Sequence, residues 1–364
     1  MKVSWPQVLA WRLSRQYLDP IGTASVEDVV RRLGAVQAQV PASAELAVRL
    51  RRADSTAGEV DAALAEGRII RAWGMRGAVH LLTPEDGGAY LALKAAKRQW
   101  ELPSWQSFYG LAPGDWEPFR QAVREALADG PMTPSELGAA VTARPAFRHL
   151  DFAFARHWHT ILKPLFSQGV VCFGAPRGAQ PTFQRLEDNP RWAGLPEPDE
   201  AGRRVVETYL RAYGPATIQH IRYWQTAGER KVRDWLVALG DRRARVDLDG
   251  ETAYVLVDDL DELGATRPTK VVRLLPGYDP WVMGPGTDDS HVVPPARRAL
   301  ISRQAPFVIA GGVVSGTWAR TDDEVSISWF SEAGRPPRQG LGEEVDRLAT
   351  VFGRPLRLTL RPAS

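Results

Sequence analysis

One order of elements occurs three times along the chain, namely helical segments followed by a two-stranded hairpin. The third hairpin is the clearest, because Asp249-Gly250 joins two runs, 244–248 and 252–257, that are rich in apolar residues at alternating positions. Asp-Gly between such runs is a strong indicator of a tight β-turn, since both turn residues must adopt positive φ. The helical segments before this hairpin are 200–212, 216–226 and 229–239.

The first two occurrences have the same order but different residues. Serine or threonine with a nearby acidic residue opens a helix in each, at Ser25 and at Thr133, as helix N-termini prefer. Three helices and a hairpin are the layout of a winged helix-turn-helix domain, and a generic α+β protein with three helical hairpins is the alternative. The first occurrence has helices at 4–18, 26–36 and 56–66 and strands at 68–73 and 78–82; the second has helices at 116–128, from 134 and at 152–168, and strands at 170–173 and 181–186.

The end of the chain has a different character, because strands dominate it. Gly311-Gly312 is a hairpin turn between two of these strands, and one late helix is predicted at 341–352. A small closed or half-closed, barrel-like sheet fits the pattern. The predicted strands are 271–275, 307–309, 313–318, 325–330 and 356–360. With a proline-rich linker at 187–198, the sequence predicts an α+β chain of four domains: 1–110 (winged helix 1 with a connecting helix), 111–190 (winged helix 2), 191–265 (winged helix 3) and 266–364 (barrel-like).

Composition excludes several classes of protein. A chain of 364 residues with 44% hydrophobic and 24% charged residues is too long for one ordinary core and too apolar for general disorder. No apolar run reaches the length of a membrane span, the N-terminus lacks an apolar signal core, and the single Cys172 cannot form an internal disulfide. These features predict a cytoplasmic protein without a membrane contact. A monomer is predicted, because no dimer-forming coiled coil is present.

Arginine dominates the basic residues. Six of the 46 basic residues are lysine, which leaves 40 arginines. Guanidinium groups bind phosphate in bidentate fashion, but G+C-rich genomes also favour arginine codons, and a net charge of +3 does not separate the two explanations. Glycine-rich phosphate loops, nucleophile elbows and cysteine-rich metal sites are absent from the sequence. His157 and His159 lie two apart in a predicted helix and would diverge, so we predict neither a metal nor a cofactor.

The segment 35–41 is the first candidate for chemistry. Pro41 moves Val40 away from helical angles, so the helix from Val26 is expected to end before it. In an extended chain, Gln37 and Gln39 would point to the same side, and their two amides could hold one water molecule. A pair of glutamines that caps a helix end is the alternative, and the spacing by itself favours it.

Two further segments carry side chains suited to DNA. In the hairpin 68–82, the candidate contacts to phosphate and bases are Arg71, Trp73, Arg76 and His80. Apolar residues of this hairpin, Trp73 among them, could instead pin it to its helices. The second segment, 289–298, contains prolines that predict an extended loop, from which the candidate contacts His291, Arg297 and Arg298 could project into a groove. A solvated basic loop is an equally good interpretation.

Three motifs resemble the AlkZ-like winged-helix DNA glycosylases, and the similarity covers nearly the whole chain. The motifs are Val36-Gln37-Ala38-Gln39, residues 71–81 (RAWGMRGAVHL) and residues 275–280 (LPGYDP). The resemblance implies three winged-helix units in a C-shape around a β-rich domain. It also implies a catalytic Gln-x-Gln motif, here Gln37 and Gln39. A related branch of the family has an acidic residue at the second position, so Gln39 indicates the branch specialised for crosslinks.

The activity that the resemblance implies is that of a monofunctional DNA glycosylase. Its expected partner is double-stranded DNA that carries N7-alkylguanine or an azinomycin-type interstrand crosslink. Glutamine is a poor base, but alkylation at N7 makes the leaving base cationic, so positioning water and stabilising the sugar would suffice. A non-catalytic winged-helix transcriptional regulator and a protein that sequesters the crosslinking drug by binding remain alternatives.

Overall fold

A computed structural model describes residues 1–362 and has an α+β fold. The chain forms two compact units, one made of residues 1–60 with the described residues from 206 onward, the other of residues 61–205. Helices 59–65 and 198–213 contain the two boundaries. The four domain bounds given above stay predictions, and residues 363 and 364 of the last lie outside the described residues. No helix within residues 1–362 is long and apolar enough to cross a membrane.

The helices and strands have these bounds. In chain order the α-helices are α1 Trp5–Arg15, α2 Val26–Leu33, α3 Pro41–Arg49, α4 Glu59–Ala65, α5 Pro84–Ala95, α6 Pro103–Tyr109, α7 Trp116–Ala126, α8 Pro134–Thr142, α9 Asp151–Ile161, α10 Lys163–Ser167, α11 Pro198–Tyr213, α12 Ile218–Gln225, α13 Glu229–Ala238, α14 Leu260–Ala265, α15 Pro280–Met283, α16 Arg298–Ser302 and α17 Arg338–Phe352. The strands are β1 Lys2–Val3, β2 Val36–Gln37, β3 Ile70–Trp73, β4 Val79–Leu82, β5 Val171–Arg177, β6 Gln180–Arg185, β7 Arg243–Leu248, β8 Glu251–Leu256, β9 Val272–Leu275, β10 Phe307–Ala310, β11 Val313–Thr321, β12 Glu324–Trp329 and β13 Arg357–Pro362.

In the first unit, the hairpin β7–β8 follows α12 and α13 as predicted. Asp249 and Gly250 have φ of 48° and 94°, the positive values that this tight turn requires. Thr217 caps α12 by accepting a hydrogen bond from the His220 N–H at 3.4 Å. The N-terminal strand β1 pairs with β7 in parallel, a contact that no local pattern predicted.

The β-rich part of this unit is an open sheet with the strand order β13-β12-β11-β10-β9. Within residues 1–362 its outer strands do not pair with each other, so the predicted barrel-like closure is wrong. Closure requires hydrogen bonds between the outer strands, here β9 and β13, and a strong strand tilt. Here α17 packs along the sheet instead, and buries Leu341, Val345 and Leu348 in the core.

Helix α1 connects two apolar cores of the first unit. Leu9 and Leu13 lie in the core of the open sheet, whereas Val8 and Trp11 lie in the core beneath the hairpin β7–β8. Apolar residues on two faces of a short helix require burial on both sides. The N-terminal helix is therefore an integral part of this unit.

In the second unit, β4, β3, β5 and β6 form an antiparallel sheet in that order. Thr133 and Glu136 form a capping box at the start of α8, as the sequence indicated. The predicted helix 152–168 is wrong in one respect, because it breaks into α9 and α10 before Pro164, whose ring excludes a continuous helix. The proline-rich stretch 187–197 packs within this unit, where Arg191 pairs with Glu85 at 2.5 Å.

Several helices of the described residues were not predicted individually, and three of them, α3, α5 and α6, share one local feature. Each begins with proline at its first helical position, namely Pro41, Pro84 and Pro103. Proline is favoured there because the first N–H of a helix has no intrahelical partner. Proline followed by a helix-forming run was the signal that could have located them.

Candidate active site

The Gln-x-Gln segment lies between two helices, where the chain is extended at β2 and bends at Gln39 and Val40. Helix α2 ends at Leu33, three residues before the predicted end, because Gly34 adopts φ 75° and its N–H closes the helix on the Arg31 carbonyl. The Tyr213 hydroxyl donates to the Leu33 carbonyl at 3.1 Å, which fixes the end of α2. Gln37 therefore lies outside the helix, as the extended alternative required.

Burial alternates along this segment. Val36 and Ala38 are buried, with exposed fractions of 0% and 4%, whereas Gln37 is half-buried and Gln39 is exposed. Both glutamine side chains are thus more accessible than the two buried neighbours, Val36 and Ala38, that fix the segment.

The chain after the motif turns at once into a helix. Val40 is extended, with φ −116° and ψ 103°, and Pro41 begins α3, so the predicted effect of Pro41 is confirmed. Just beyond the end of α3, Arg51 donates two hydrogen bonds, of 2.8 and 2.7 Å, to the Asp279 carboxylate. Both side chains are completely buried. The motif therefore lies between a glycine-terminated helix and a helix whose end is tied to the 275–280 motif.

Arg71 and Trp73 of the second hairpin candidate lie in the second unit, on β3. The Arg71 guanidinium is half-buried over the Phe173 ring, 4.9 Å from its centroid, and burial lowers its pKa. Trp73 is 9% exposed and packs edge-on against Phe166 and Phe173, at centroid distances of 4.8 and 5.0 Å. These contacts favour the alternative in which Trp73 pins the hairpin, and direct contacts of both residues with DNA stay predictions.

His80 and Arg76 complete this hairpin. His80 is 1% exposed, and its Nδ1 lies 3.0 Å from the Ala78 carbonyl, so Nδ1 carries the hydrogen. Burial, followed by the nearby charge of Arg76, lowers the pKa of His80 to about 3. His80 is therefore a neutral residue of the core. Arg76 is half-buried in the turn with φ 53°, and a DNA contact by either residue stays a prediction.

The third candidate segment lies in the first unit and differs from the predicted extended loop. Pro295 begins a 3-10 turn, and Arg298 begins α16, because two successive prolines preset helix-compatible φ angles. Arg297 pairs with Glu332 at 2.8 Å and lies over the Phe330 ring. Arg298 lies 3.6 Å from Asp288. Both guanidinium groups therefore already have protein partners.

His291 occupies a defined position in this segment. Its ring stacks on Trp5 with a centroid distance of 3.9 Å and an interplanar angle of 9°. Its Nδ1 lies 3.1 Å from Asp289, and His220 lies 3.4 Å from the same carboxylate. The His291 side chain is 43% exposed, so one part of the ring is held and the rest is accessible.

Asp289 is the centre of this cluster, and its carboxylate is 2% exposed. Burial raises its pKa, but a hydrogen bond with His220, the charges of Arg12 and His220, and the His291 N–H outweigh burial and lower the pKa to about 2. Arg12 donates to the Pro215 carbonyl at 2.8 Å and is otherwise desolvated. Trp5 and Arg12 were not predicted, because their contacts join segments far apart in the chain and leave no pattern of spacing in the sequence.

The described residues contain no group of three or more histidine, cysteine or acidic side chains that could hold a metal ion. His157 and His159 do not converge with further ligands, and His157 itself departs from helical angles, with φ −132°.

Comparisons with known proteins agree over nearly the whole length. A family model described as DNA glycosylase AlkZ-like matches residues 30–351. An interstrand DNA cross-link repair glycosylase from Streptomyces sahachiroi is 38% identical over 362 residues, which cover 97% of this chain and 98% of that protein. The solved structure of the Streptomyces sahachiroi DNA glycosylase AlkZ matches with a TM-score of 0.94 and 37% identity, over 99% of this chain and 100% of the other. The chain therefore belongs to the AlkZ-like family of DNA glycosylases, enzymes that act on N-glycosyl bonds.

Proposed function

We propose that this protein is a monofunctional DNA glycosylase that hydrolyses the N-glycosidic bond of N7-alkylguanine in double-stranded DNA. The proposed range includes the unhooking of azinomycin-type interstrand crosslinks. The similarity to a relative named for interstrand crosslink repair supports this range. The alternating burial of residues 36–39, which leaves Gln37 and Gln39 more accessible than their two buried neighbours, carries the assignment of the catalytic residues.

Two side-chain amides suit the first part of the chemistry. Each amide offers a carbonyl acceptor and an NH₂ donor, so Gln37 and Gln39 together can orient one water through directed hydrogen bonds. Holding that water in line with the sugar C1′ turns a bimolecular attack into a positioned one. Their carbonyl oxygens also place partial negative charge near the cationic sugar that develops as the bond breaks.

The lesion supplies what the amides lack. Neither glutamine can take a proton as a carboxylate does, so these residues are weak general bases. Alkylation at N7 gives guanine a positive charge, and its departure as a neutral base needs no general acid. A neutral pair of residues is therefore sufficient for a cationic lesion and insufficient for an undamaged base. No lysine lies within 30 residues of the motif on either side, and we therefore assign hydrolysis without a lyase step.

The helix–hairpin segments supply the proposed DNA-binding surfaces. We assign winged-helix roles to the three segments that end in the hairpins β3–β4, β5–β6 and β7–β8. Arg71, Trp73, Arg76 and His80 are proposed to serve the first of these, with Trp73 and His80 acting through packing. The proposed contacts of the 289–298 segment are His291, Arg297 and Arg298. The C-shaped arrangement of the units stays a prediction.

Base release tests the proposal directly. The wild-type protein is incubated under single-turnover conditions with duplexes that carry N7-methylguanine or an azinomycin-type crosslink, and abasic sites are quantified. We expect loss of 100-fold or more in rate for the double variant Gln37→Ala/Gln39→Ala, in the range of a lost electrostatic stabiliser (about 10²–10³). The matched control is Gln339→Ala, which removes a glutamine amide that is bound to Glu343 on the surface of α17.

Two outcomes would contradict the proposal. Full activity of the double variant would exclude the two glutamines as catalytic residues. Absence of base release from every lesion, together with tight binding of one DNA sequence, would instead indicate a transcriptional regulator. Protection of DNA in proportion to the amount of protein, without turnover, would indicate sequestration of the drug.

A further inference from the structure

The outer side of α9 in the second unit carries an unusual set of exposed residues. Along the 3-10 turn Pro145–Leu150 and α9, the side chains of Arg148, Phe152, Arg156 and His159 are exposed at helical spacing. Of the residues between them, Leu150, Ala153 and Phe154 are buried, whereas His149, Asp151 and Ala155 are exposed as well. We call the four exposed residues the α9 outer face.

An aromatic pair lies at this face. Phe152 is 41% exposed, and Phe108 of α6, which is 53% exposed, contacts it edge-on at a centroid distance of 5.8 Å. The His157 ring lies against both, at 5.6 and 6.4 Å. Two adjacent phenylalanine rings that stay exposed to water do not gain the free energy that burial would give. Exposed apolar patches of this kind commonly mark a binding surface.

The two arginines of this face have uncompensated charge. Within residues 1–362, neither Arg148 nor Arg156 forms an ion pair or a hydrogen bond through its guanidinium group. Arg144, only four residues before Arg148, shows the usual arrangement, since it pairs with Glu125 at 2.6 Å. The α9 outer face thus presents two free cations with an aromatic ring between them.

The spacing of these groups fits a nucleic acid. Arg148 in the 3-10 turn and Arg156 in α9 are eight positions apart, which corresponds to about 13 Å at the rises per residue of the two helix types. This is close to the width of the DNA major groove, about 12 Å, whose edges carry phosphates. Between those edges, the floor of the major groove presents base edges, among them the apolar thymine methyl group, which phenyl rings can contact. An acidic protein partner would satisfy the arginines but would give no reason for aromatic rings between them.

We propose that the α9 outer face, together with Phe108, is a contact surface for duplex DNA. Arg148 and Arg156 bind backbone phosphates, and Phe152 and Phe108 pack on the base edges between them. The proposal rests on DNA as the substrate, as assigned above, and adds a surface remote in sequence from Gln37 and Gln39. It separates the residues that hold the duplex from the residues that break the glycosidic bond.

Binding to a lesion-free duplex, measured by fluorescence anisotropy over a range of salt concentrations, tests this surface. The variants are Phe108→Ala, Phe152→Ala, Arg148→Gln and Arg156→Gln, with Arg144→Gln as the matched control. Each phenylalanine variant is expected to raise Kd about tenfold with an unchanged salt dependence, because ring contacts release no counterions. Each of Arg148→Gln and Arg156→Gln is expected to lower the slope of log K against log salt by about 1.

Two comparisons make the test specific: the variant Arg144→Gln and the rate of base release by the glutamine variants. Arg144→Gln removes the same charge from a guanidinium that is already paired, so it is expected to change Kd by less than about twofold. The glutamine variants, in contrast to the four variants of this face, are expected to lose base release with Kd unchanged. A protein that binds DNA through this face but releases no base would contradict the proposed function and leave this proposal intact.

Three results would overturn the proposal. Wild-type Kd and salt slope in all four variants would exclude the face from DNA binding. An equal loss with Arg144→Gln would indicate general attraction rather than a site. Loss of self-association in sedimentation, with DNA binding unchanged, would identify the face as an interface between copies of the chain. Because all substituted side chains are exposed, unchanged thermal unfolding in circular dichroism is expected and verifies the fold.

Discussion

Arg51 and Asp279 form a bidentate ion pair with no exposed surface on either side chain. Asp279 also accepts the Trp281 N–H at 2.8 Å and thereby begins α15, while Arg51 donates to the Ala47 carbonyl at 2.7 Å within α3. One carboxylate therefore joins the helix that follows the Gln-x-Gln segment to the loop that leaves the open sheet. The 275–280 motif, prominent in the sequence, has a structural role through this pair.

Removal of the Asp279 charge is expected to destabilise the protein strongly. Asp279→Asn leaves the Arg51 guanidinium buried without a counter-charge, which typically costs about 3–5 kcal/mol. Chemical denaturation at pH 7 measures the loss in free energy of unfolding. The control is Asp323→Asn at the exposed pair with Arg357, where a change below about 1 kcal/mol is expected. Equal effects at the two sites would contradict the role given to the buried pair.

Two glycine substitutions are expected to have opposite effects. A Cβ at Gly277 would lie 2.1 Å from the Gln304 backbone oxygen, so Gly277→Ala must displace the loop that carries Asp279. A Cβ at Gly342 in the middle of α17 meets nothing within 4 Å. Gly342→Ala is therefore expected to stabilise the protein by about 0.5–1 kcal/mol through helix propensity. Thermal unfolding should show a lower Tm for the first variant and a higher Tm for the second; the reverse order would refute the packing described for Gly277.

His80 makes the second unit sensitive to acid. The folded-state pKa of His80, about 3, lies below the ordinary value of 6.5. Between these two pH values the unfolded chain binds a proton at this residue and the folded protein does not. Stability is unaffected above pH 6.5 and falls as the pH drops toward 3, by about 2 kcal/mol at pH 5. In NMR, the His80 ring is expected to remain neutral at pH 5. An imidazole that titrates near pH 6.5 in the folded protein would disprove this assignment.

Asp289 also makes the protein less stable in acid, but in a lower range of pH than His80 does. Its folded-state pKa of about 2 lies below the ordinary 3.8, so its contribution to stability is complete above about pH 4 and is lost as the pH falls toward 2. Asp289→Asn is expected to cost about 2 kcal/mol at pH 7 and about 1 kcal/mol at pH 3. Urea unfolding at the two pH values compares the variant with wild type. A loss that does not shrink at pH 3 would mean that the carboxylate charge is not what stabilises the cluster around His291.

Much of the fold could be predicted from local patterns. The Asp249-Gly250 turn, the Thr133 capping box and the strands of the last part of the chain depend on residues close together in sequence, and they were predicted at the correct places. The predictions of the fold were wrong or incomplete where the structure depended on contacts between residues far apart in sequence. The sheet stays open because α17 covers it, and β1 pairs with β7 across more than 230 residues.

The sequence by itself determined where the chain at the candidate site leaves the helical conformation. Pro41 excludes a helix at Val40, whereas the spacing of the two glutamines left the direction of their amides open between two alternatives. Tertiary structure alone decided which charged and aromatic side chains are available. Trp73 and His80 are buried, and the His291 ring is stacked on Trp5. Local rules fix backbone angles, whereas burial and pairing are set by neighbours that only the folded chain brings together.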